Sequence, residues 1–454
     1  MQYITLIDYI LLPLYLGIFF FFAKKMAKHY KEPDLKKYLL TAFWLRMFGC
    51  IAYSMIVQYY YGYGDSFTYF AGSNFFTDQF AKDPSTIKYL FSSIKETSYW
   101  YDMTSGDKYF SGYFGAASGN MVMKISAVLS YLSFNRFLII SLFFGFFSFA
   151  GQWKLFLVFD DINKNRYRKL LAFATLYSPS IWFWGSGLMK DSLCIGATGF
   201  VIHFLYTLLI KKKFSIWGLI YSLIFLYAIS VIKSYITAIL LVSMSVLLLF
   251  IFLKQIKNIV LKLGIIILLL VISITVLANL DLSSQITEIA EESVLQIQSF
   301  QQNYQASQEA EEMSKGGYEI GELNPSLTSI VLKSPLVIFT CLYRPFMWES
   351  GKIMIFFTSL ESTLLLLCTL YLFKKTKVIG FFKIIFTNQY MLFCFVLSML
   401  FALTIGFTTF NFGTMVRYKI IFLPFFYFML VYIYSEMIKN KAGEPVNGIE
   451  KKQN

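Results

Sequence analysis

The chain has 454 residues, 57% of them hydrophobic and only 15% charged, whereas a soluble globule carries roughly 25% charged residues. That balance excludes an ordinary soluble enzyme, and runs apolar on every side, such as "LLLFIFL", exclude a β-barrel of alternating strands. A formal net charge of +14 reads as the lysine excess of cytoplasmic loops in a polytopic membrane protein, so no nucleic-acid partner is expected.

The expected fold is all-α and polytopic, with about 11 transmembrane helices. The first run, "MQYITLIDYILLPLYLGIFFFFAKK", has no basic start and no small-residue cleavage site, so it reads as a retained helix over about residues 4–23 that begins outside. Further crossings follow at about 38–60, 133–153, 169–187, 190–210, 214–232, 235–253, 263–280, 352–373, 389–409 and 417–437. This arrangement puts the basic clusters at 24–37, 154–169, 211–213, 254–262 and 374–377 in the cytoplasm, together with the tail from Lys439. One transmembrane helical domain then covers 1–437, and 438–454 is a cytoplasmic basic tail.

Two large external loops remain, over about 61–132 and 281–351. The first mixes aromatic stretches with short polar breaks ("FTYFAGSNFFTDQF"), a pattern suited to helices lying in the membrane interface. The second contains the acidic, polar "EIAEESVLQIQSF". Loops of this length are commonly functional.

Because positive charge is expected inside, basic residues at external boundaries are the informative ones. They are Lys190 in "GLMKDS", Lys233 in "VIKSYIT", Arg344 in "YRPFMWE", and Arg417 with Lys419 in "GTMVRYKIIFLPF". If they converge, they form a basic pocket, because arginine's planar fork and lysine's point charge are the groups that hold phosphate oxygens. The plain alternatives are that Lys233 snorkels to headgroups and that Arg344, on an apolar run capped by Glu349, anchors to lipid phosphate. Asp65, in "YYYGYGDSFTYF", is the first acid after the second helix. A carboxylate beside aromatic rings suits general-base work on a hydroxyl, and Asp is equally a favoured helix N-cap.

Arg46 and Glu361 lie inside helices, where ionisable groups either act or lock the bundle through polar partners; for Arg46 the locking role is preferred. With only two histidines, His29 and His203, no metal site is assigned. The five cysteines have no metal-like or disulfide spacing. No phosphate-binding GxxxxGK[ST], GxSxG or HExxH motif occurs, and no cofactor is expected.

An acid just after an early helix ("GDSFTYF"), the boundary motif "FWGSGLMKDS", the late "YRPFMWE" and the last-helix "RYKIIFLPF" together resemble bacterial GT-C-class membrane glycosyltransferases and polysaccharide polymerases of the Wzy and EpsG type. The resemblance implies a GT-C-like bundle in the cytoplasmic (inner) membrane, with its active site facing outside or the periplasm. The implied activity is sugar transfer from a polyprenyl-(pyro)phosphate donor to a glycan or lipid acceptor in polysaccharide biosynthesis for the cell envelope. Asp65 would then deprotonate the acceptor hydroxyl, while Lys190, Arg344 and Arg417 would hold the lipid-linked phosphate. Asp191 would orient Lys190 or be the base instead. The competing expectation is a transporter or flippase that binds a lipid-linked saccharide only to move it.

Overall fold

A computed structural model of the chain describes residues 3–105, 111–256, 295–302, 317–318, 327–349 and 353–441. Among these residues the secondary structure is helical, with no strand and one isolated bridge, Gly317 to Asn411. Among the described residues, seven helices are long and apolar enough to cross a membrane, or eight if one bent pair counts as a single span. The chain is thus an α-helical, multi-pass membrane protein. Its residues gather into two compact units, Met1–Thr237 and Ala238–Asn454.

Unit 1 begins with α1 (Leu6–Lys28) and α2 (Pro33–Ile56), the latter continuing as a π turn, Val57–Tyr61. There follow α3 (Asp65–Lys82), α4 (Ile94–Ser105), α5 (Ser111–Gly115) and α6 (Ala117–Leu132). The remaining helices are α7 (Phe137–Ile162), α8 (Arg168–Leu176), α9 (Pro179–Trp184), α10 (Lys190–Leu209) and α11 (Ile216–Ile232). The most apolar window of α7 is 67% buried against 22% for α1, which makes α7 the central post and α1 a peripheral, lipid-facing helix.

Small residues set how closely the post is packed. A Cβ on Gly151 of α7 would stand 1.9 Å from the Gly196 carbonyl oxygen of α10, and one on Gly199 would stand 2.0 Å from the Gly151 carbonyl oxygen. Between apolar helices in lipid, where hydrophobic burial gains little, such backbone approach is a main source of association. Asp8, fully buried, accepts hydrogen bonds from Thr5 N and Oγ1 at 2.9 Å each and from Leu138 N at 3.2 Å, so one carboxylate caps both α1 and α7.

At the opposite end of unit 1, Arg168 Nε donates to both Asp160 oxygens at 2.8–2.9 Å and the same guanidinium reaches Glu32, while Lys211 pairs with Asp161 at 2.5 Å. The clusters at 24–37, 154–169 and 211–213 therefore share one end of the unit.

α12 (Ser234–Gln255) leads into unit 2, which holds α13 (Leu327–Tyr343), α14 (Ile353–Thr387), α15 (Gln389–Thr408), α16 (Phe412–Lys419) and α17 (Leu423–Lys441). α15 packs between α13 and α17, and α14 lies against α17. Asn388 caps α15 through Tyr390 N at 2.9 Å, and Asn411 caps α16 through Gly413 N at 2.7 Å.

Several expected crossings take a different form. The one at 169–187 is two short helices, α8 and α9, because Pro179 has no N–H to donate and holds the preceding residue out of helical geometry. The one at 214–232 is an apolar helix of 17 residues, at the short end of what spans a membrane. The one at 417–437 is the pair α16 and α17, bent by 64°. The one at 352–373 runs on to Thr387 past a bend at Lys377, whose φ is 58°. The crossing at 263–280 and most of the loop at 281–351 lie outside the described residues. The described residues of the segment at 61–132 form a string of helices, as its aromatic stretches and polar breaks suggest.

Candidate functional site

At the end of α2 the backbone widens. Gly62 N donates to Val57 O at 2.9 Å, closing a π turn, and Gly62 and Gly64 take φ of 71° and 141°, which a glycine adopts without a Cβ penalty. This turn delivers Asp65 as the first residue of α3, with Gly64 before it as the N-cap residue. Asp65 itself is therefore not the cap. Its carboxylate sits in the helix's first turn, where the dipole favours negative charge, and Oδ1 accepts from the Tyr113 hydroxyl at 3.3 Å.

The second strand of the site comes from the loop between α9 and α10. Gly187 has φ of 82° and lies so close to Tyr53 that a Cβ there would fall 2.4 Å from Cδ1 of the ring. The Tyr53 hydroxyl contacts Ser66 Oγ at 3.0 Å and Met189 Sδ at 2.8 Å, which ties the start of α3 to the start of α10.

α10 then opens with Lys190 and Asp191, whose side chains diverge. Lys190 Nζ donates to Ser118 Oγ at 2.8 Å and sits 5.6 Å from the centroid of the Tyr69 ring. Tyr69 and Tyr113 are an edge-to-face pair 6.2 Å apart. Asp65 and Lys190, 125 positions apart by the difference of their numbers, thus flank the same pair of tyrosines.

Asp191 meets a second lysine. It is fully buried, and its Oδ1 lies 2.5 Å from Nζ of Lys233. Lys233 occupies the break between α11 and α12 with 8% of its surface exposed, so it is a buried ion-pair partner and does not snorkel.

Unit 2 gathers its own charges. Arg344 Nε lies 2.9 Å and 3.1 Å from the two carboxylate oxygens of Glu349, and Phe346 N donates to the same carboxylate at 2.8 Å. The guanidinium stands over the rings of Phe412 at 5.1 Å and Tyr318 at 5.7 Å. Tyr318 is held by backbone pairing to Phe410 O at 3.1 Å and by its hydroxyl to Gly406 O at 2.5 Å. Burial pushes its phenol pKa up, so it stays a neutral donor.

Lys419 is buried, with Nζ 2.9 Å from Arg344 O, 3.1 Å from Ser362 Oγ and 3.4 Å from Cys341 O. It satisfies carbonyls at the end of α13 that the helix leaves open. Arg417, two residues earlier, lies over the Tyr418 ring at 5.3 Å. Arg46 donates to Ile181 O at 3.0 Å and to Gln152, and Glu361 accepts from the Tyr427 hydroxyl at 2.5 Å, so both are joined to neighbouring helices.

The expected residues therefore sort by unit. In unit 1 Asp65 meets Lys190 through the tyrosines, and Asp191 meets Lys233; in unit 2 Arg344 meets Glu349 and Lys419. Reading the sequence missed Ser118, Tyr69 and Tyr113, because a hydroxyl in an aromatic-rich segment has no distinguishing neighbour pattern. Among the described residues no three His, Cys, Asp or Glu side chains gather as a metal site. No protein-family model, curated protein or solved structure matches this chain.

Proposed function

We propose that the chain is a membrane glycosyltransferase or polysaccharide polymerase that takes sugar from a polyprenyl-(pyro)phosphate donor on the outer face of the cytoplasmic membrane. The observation that carries the reading is the pairing of a carboxylate, Asp65, with an ammonium, Lys190, on either side of Tyr69 and Tyr113. An acid and a cation so placed match the two demands of glycosyl transfer. Asp65 accepts the proton of an acceptor hydroxyl as its oxygen bonds to the anomeric carbon. The bond from that carbon to the phosphate oxygen breaks, and its electron pair leaves with the phosphate, whose charge Lys190 meets.

Asp191, next to Lys190 at the start of α10, is neutralised by Lys233 and ties that helix start to the end of α11. Arg344 and Glu349 complete each other and serve structure in this reading. The test is sugar transfer by purified protein from a polyprenyl-phosphate sugar, with Asp65→Asn and Lys190→Gln expected to lose turnover. Full turnover in both variants overturns the assignment.

One observation favours a second reading, a transporter of lipid-linked saccharides: a buried ion pair sits at a broken helix, between α11 and α12. Movement of labelled lipid-linked sugar across a vesicle membrane, without product formation, would select it.

A further inference from the structure

Beside the Asp65–Lys190 pair, unit 1 contains a cleft of about 580 Å³ whose walls are α6, α7, α10 and α11. Its lining is wholly apolar, with Phe143, Phe147, Phe200 and Phe225 among the walls and Ala150 and Ala228 leaving the room. Two of the walls fix its position relative to the charges. Leu193 and Cys194 line the cleft one helical turn after Lys190, and Ile232 lines it directly before Lys233. The third is α6, where Met121 lines the cleft one turn after Ser118, the hydroxyl that Lys190 holds. From there the cleft follows α10 as far as Phe200, about 10 Å at 1.5 Å per residue.

We propose that this cleft holds a hydrocarbon chain of a phosphate-bearing lipid, with the phosphate at Lys190 and the first part of the chain running between α7, α10 and α11. The assignment rests on Lys190 meeting phosphate, as in the function proposed above. Charge complementarity at one end and an uninterrupted apolar lining beyond it are what a lipid phosphate presents in the same order. Chains already in lipid gain little hydrophobic free energy on entering such a cleft. Its effect is to fix where the chain leaves the phosphate, and so where the bond to phosphate stands relative to Asp65.

The test uses the full chain in neutral-lipid nanodiscs and a farnesyl phosphate analogue carrying a diazirine. After illumination, label is expected in peptides covering 121–129, 193–200 and 224–232, and excess farnesyl phosphate should reduce it about tenfold while farnesol does not. Ala150→Phe and Ala228→Phe, each filling the cleft from a different helix, should reduce it as much, in protein whose thermal unfolding is unchanged. Label confined to the lipid-facing side of α1 or α12, or label in the three segments that neither competition nor filling reduces, overturns the proposal. Competition by phosphatidic acid but not by farnesyl phosphate keeps the cleft as a lipid-phosphate site and assigns it to membrane phospholipid, which removes the donor reading. Specific labelling without sugar transfer likewise separates the cleft from the catalytic assignment.

Discussion

The Lys233 ammonium stands 2.5 Å from Asp191 Oδ1 although the two residues are 42 positions apart, and both are shut away from solvent. A charge pair in such a place is held by its own attraction against a large desolvation cost, so each partner's value depends on the other's presence. Lys233→Met or Asp191→Asn alone should destabilise the protein by about 3–5 kcal/mol, while Lys233→Met combined with Asp191→Leu should cost less than either alone. Thermal unfolding of the detergent-solubilised variants checks the ordering. Additive losses would mean that the two side chains do not act as a pair.

The Tyr113 hydroxyl donates to Asp65 at 3.3 Å and holds its carboxylate in place. Tyr113→Phe should lower the turnover of sugar transfer, and by less than Asp65→Asn does. Loss of Asp65 as a general base should cost about 10²–10⁴ in turnover. Steady-state turnover of the two variants beside the wild type is the measurement.

Gly151 touches α10 through backbone alone. Gly151→Ala should force α7 from α10 and destabilise the protein by about 1–3 kcal/mol or more, the usual range for overpacking. Gly17, which has nothing within 4 Å of where a Cβ would stand, should tolerate alanine. Thermal unfolding of the two variants, compared side by side, decides the matter.

In unit 2, Lys419→Met should leave the Cys341 and Arg344 carbonyls without their shared donor, a loss of about 1–3 kcal/mol. Thermal unfolding of the variant beside the wild type checks the loss.

Asp83 caps the 3₁₀ turn Pro84–Leu90, its carboxylate accepting from Ser85 Oγ at 2.8 Å and Ser85 N at 3.0 Å. Those bonds, the hydroxyl's first, hold its pKa below the usual carboxylate range. A depressed folded pKa gives stability that is full above the unfolded value and lost as pH falls through the folded one. Amide exchange over residues 84–90 should therefore quicken with acid beyond its intrinsic rate, and Asp83→Asn should flatten that response.

How much of this was legible beforehand depends on the range of the interaction. Uninterrupted apolar runs such as those of α1, α10 and α15 declare a membrane helix because each residue's preference acts locally. Pro179 is an equally local signal, and a new helix begins there. Lys190 and Asp65 stood out as charges at boundaries. Which charge pairs with which did not, because Asp191 sits beside Lys190 in sequence and turns to Lys233 only when α10 packs on α11. Glu349 and Arg344 are five apart and still form their pair through a proline-containing turn that spacing alone does not specify.

The π turn at Val57–Tyr61 has a consequence for evolution by insertion and deletion. Its i-to-i−5 bond accommodates one residue more than an α turn would, so the chain leaves α2 with its angular phase reset by about 100°. Losing a single tyrosine from this run would restore the ordinary winding and still present Asp65 to Tyr113, because the turn takes up one residue's rotation. The same loss elsewhere in α2 would turn everything beyond it by that angle, so the helix tolerates a change of length at this one place.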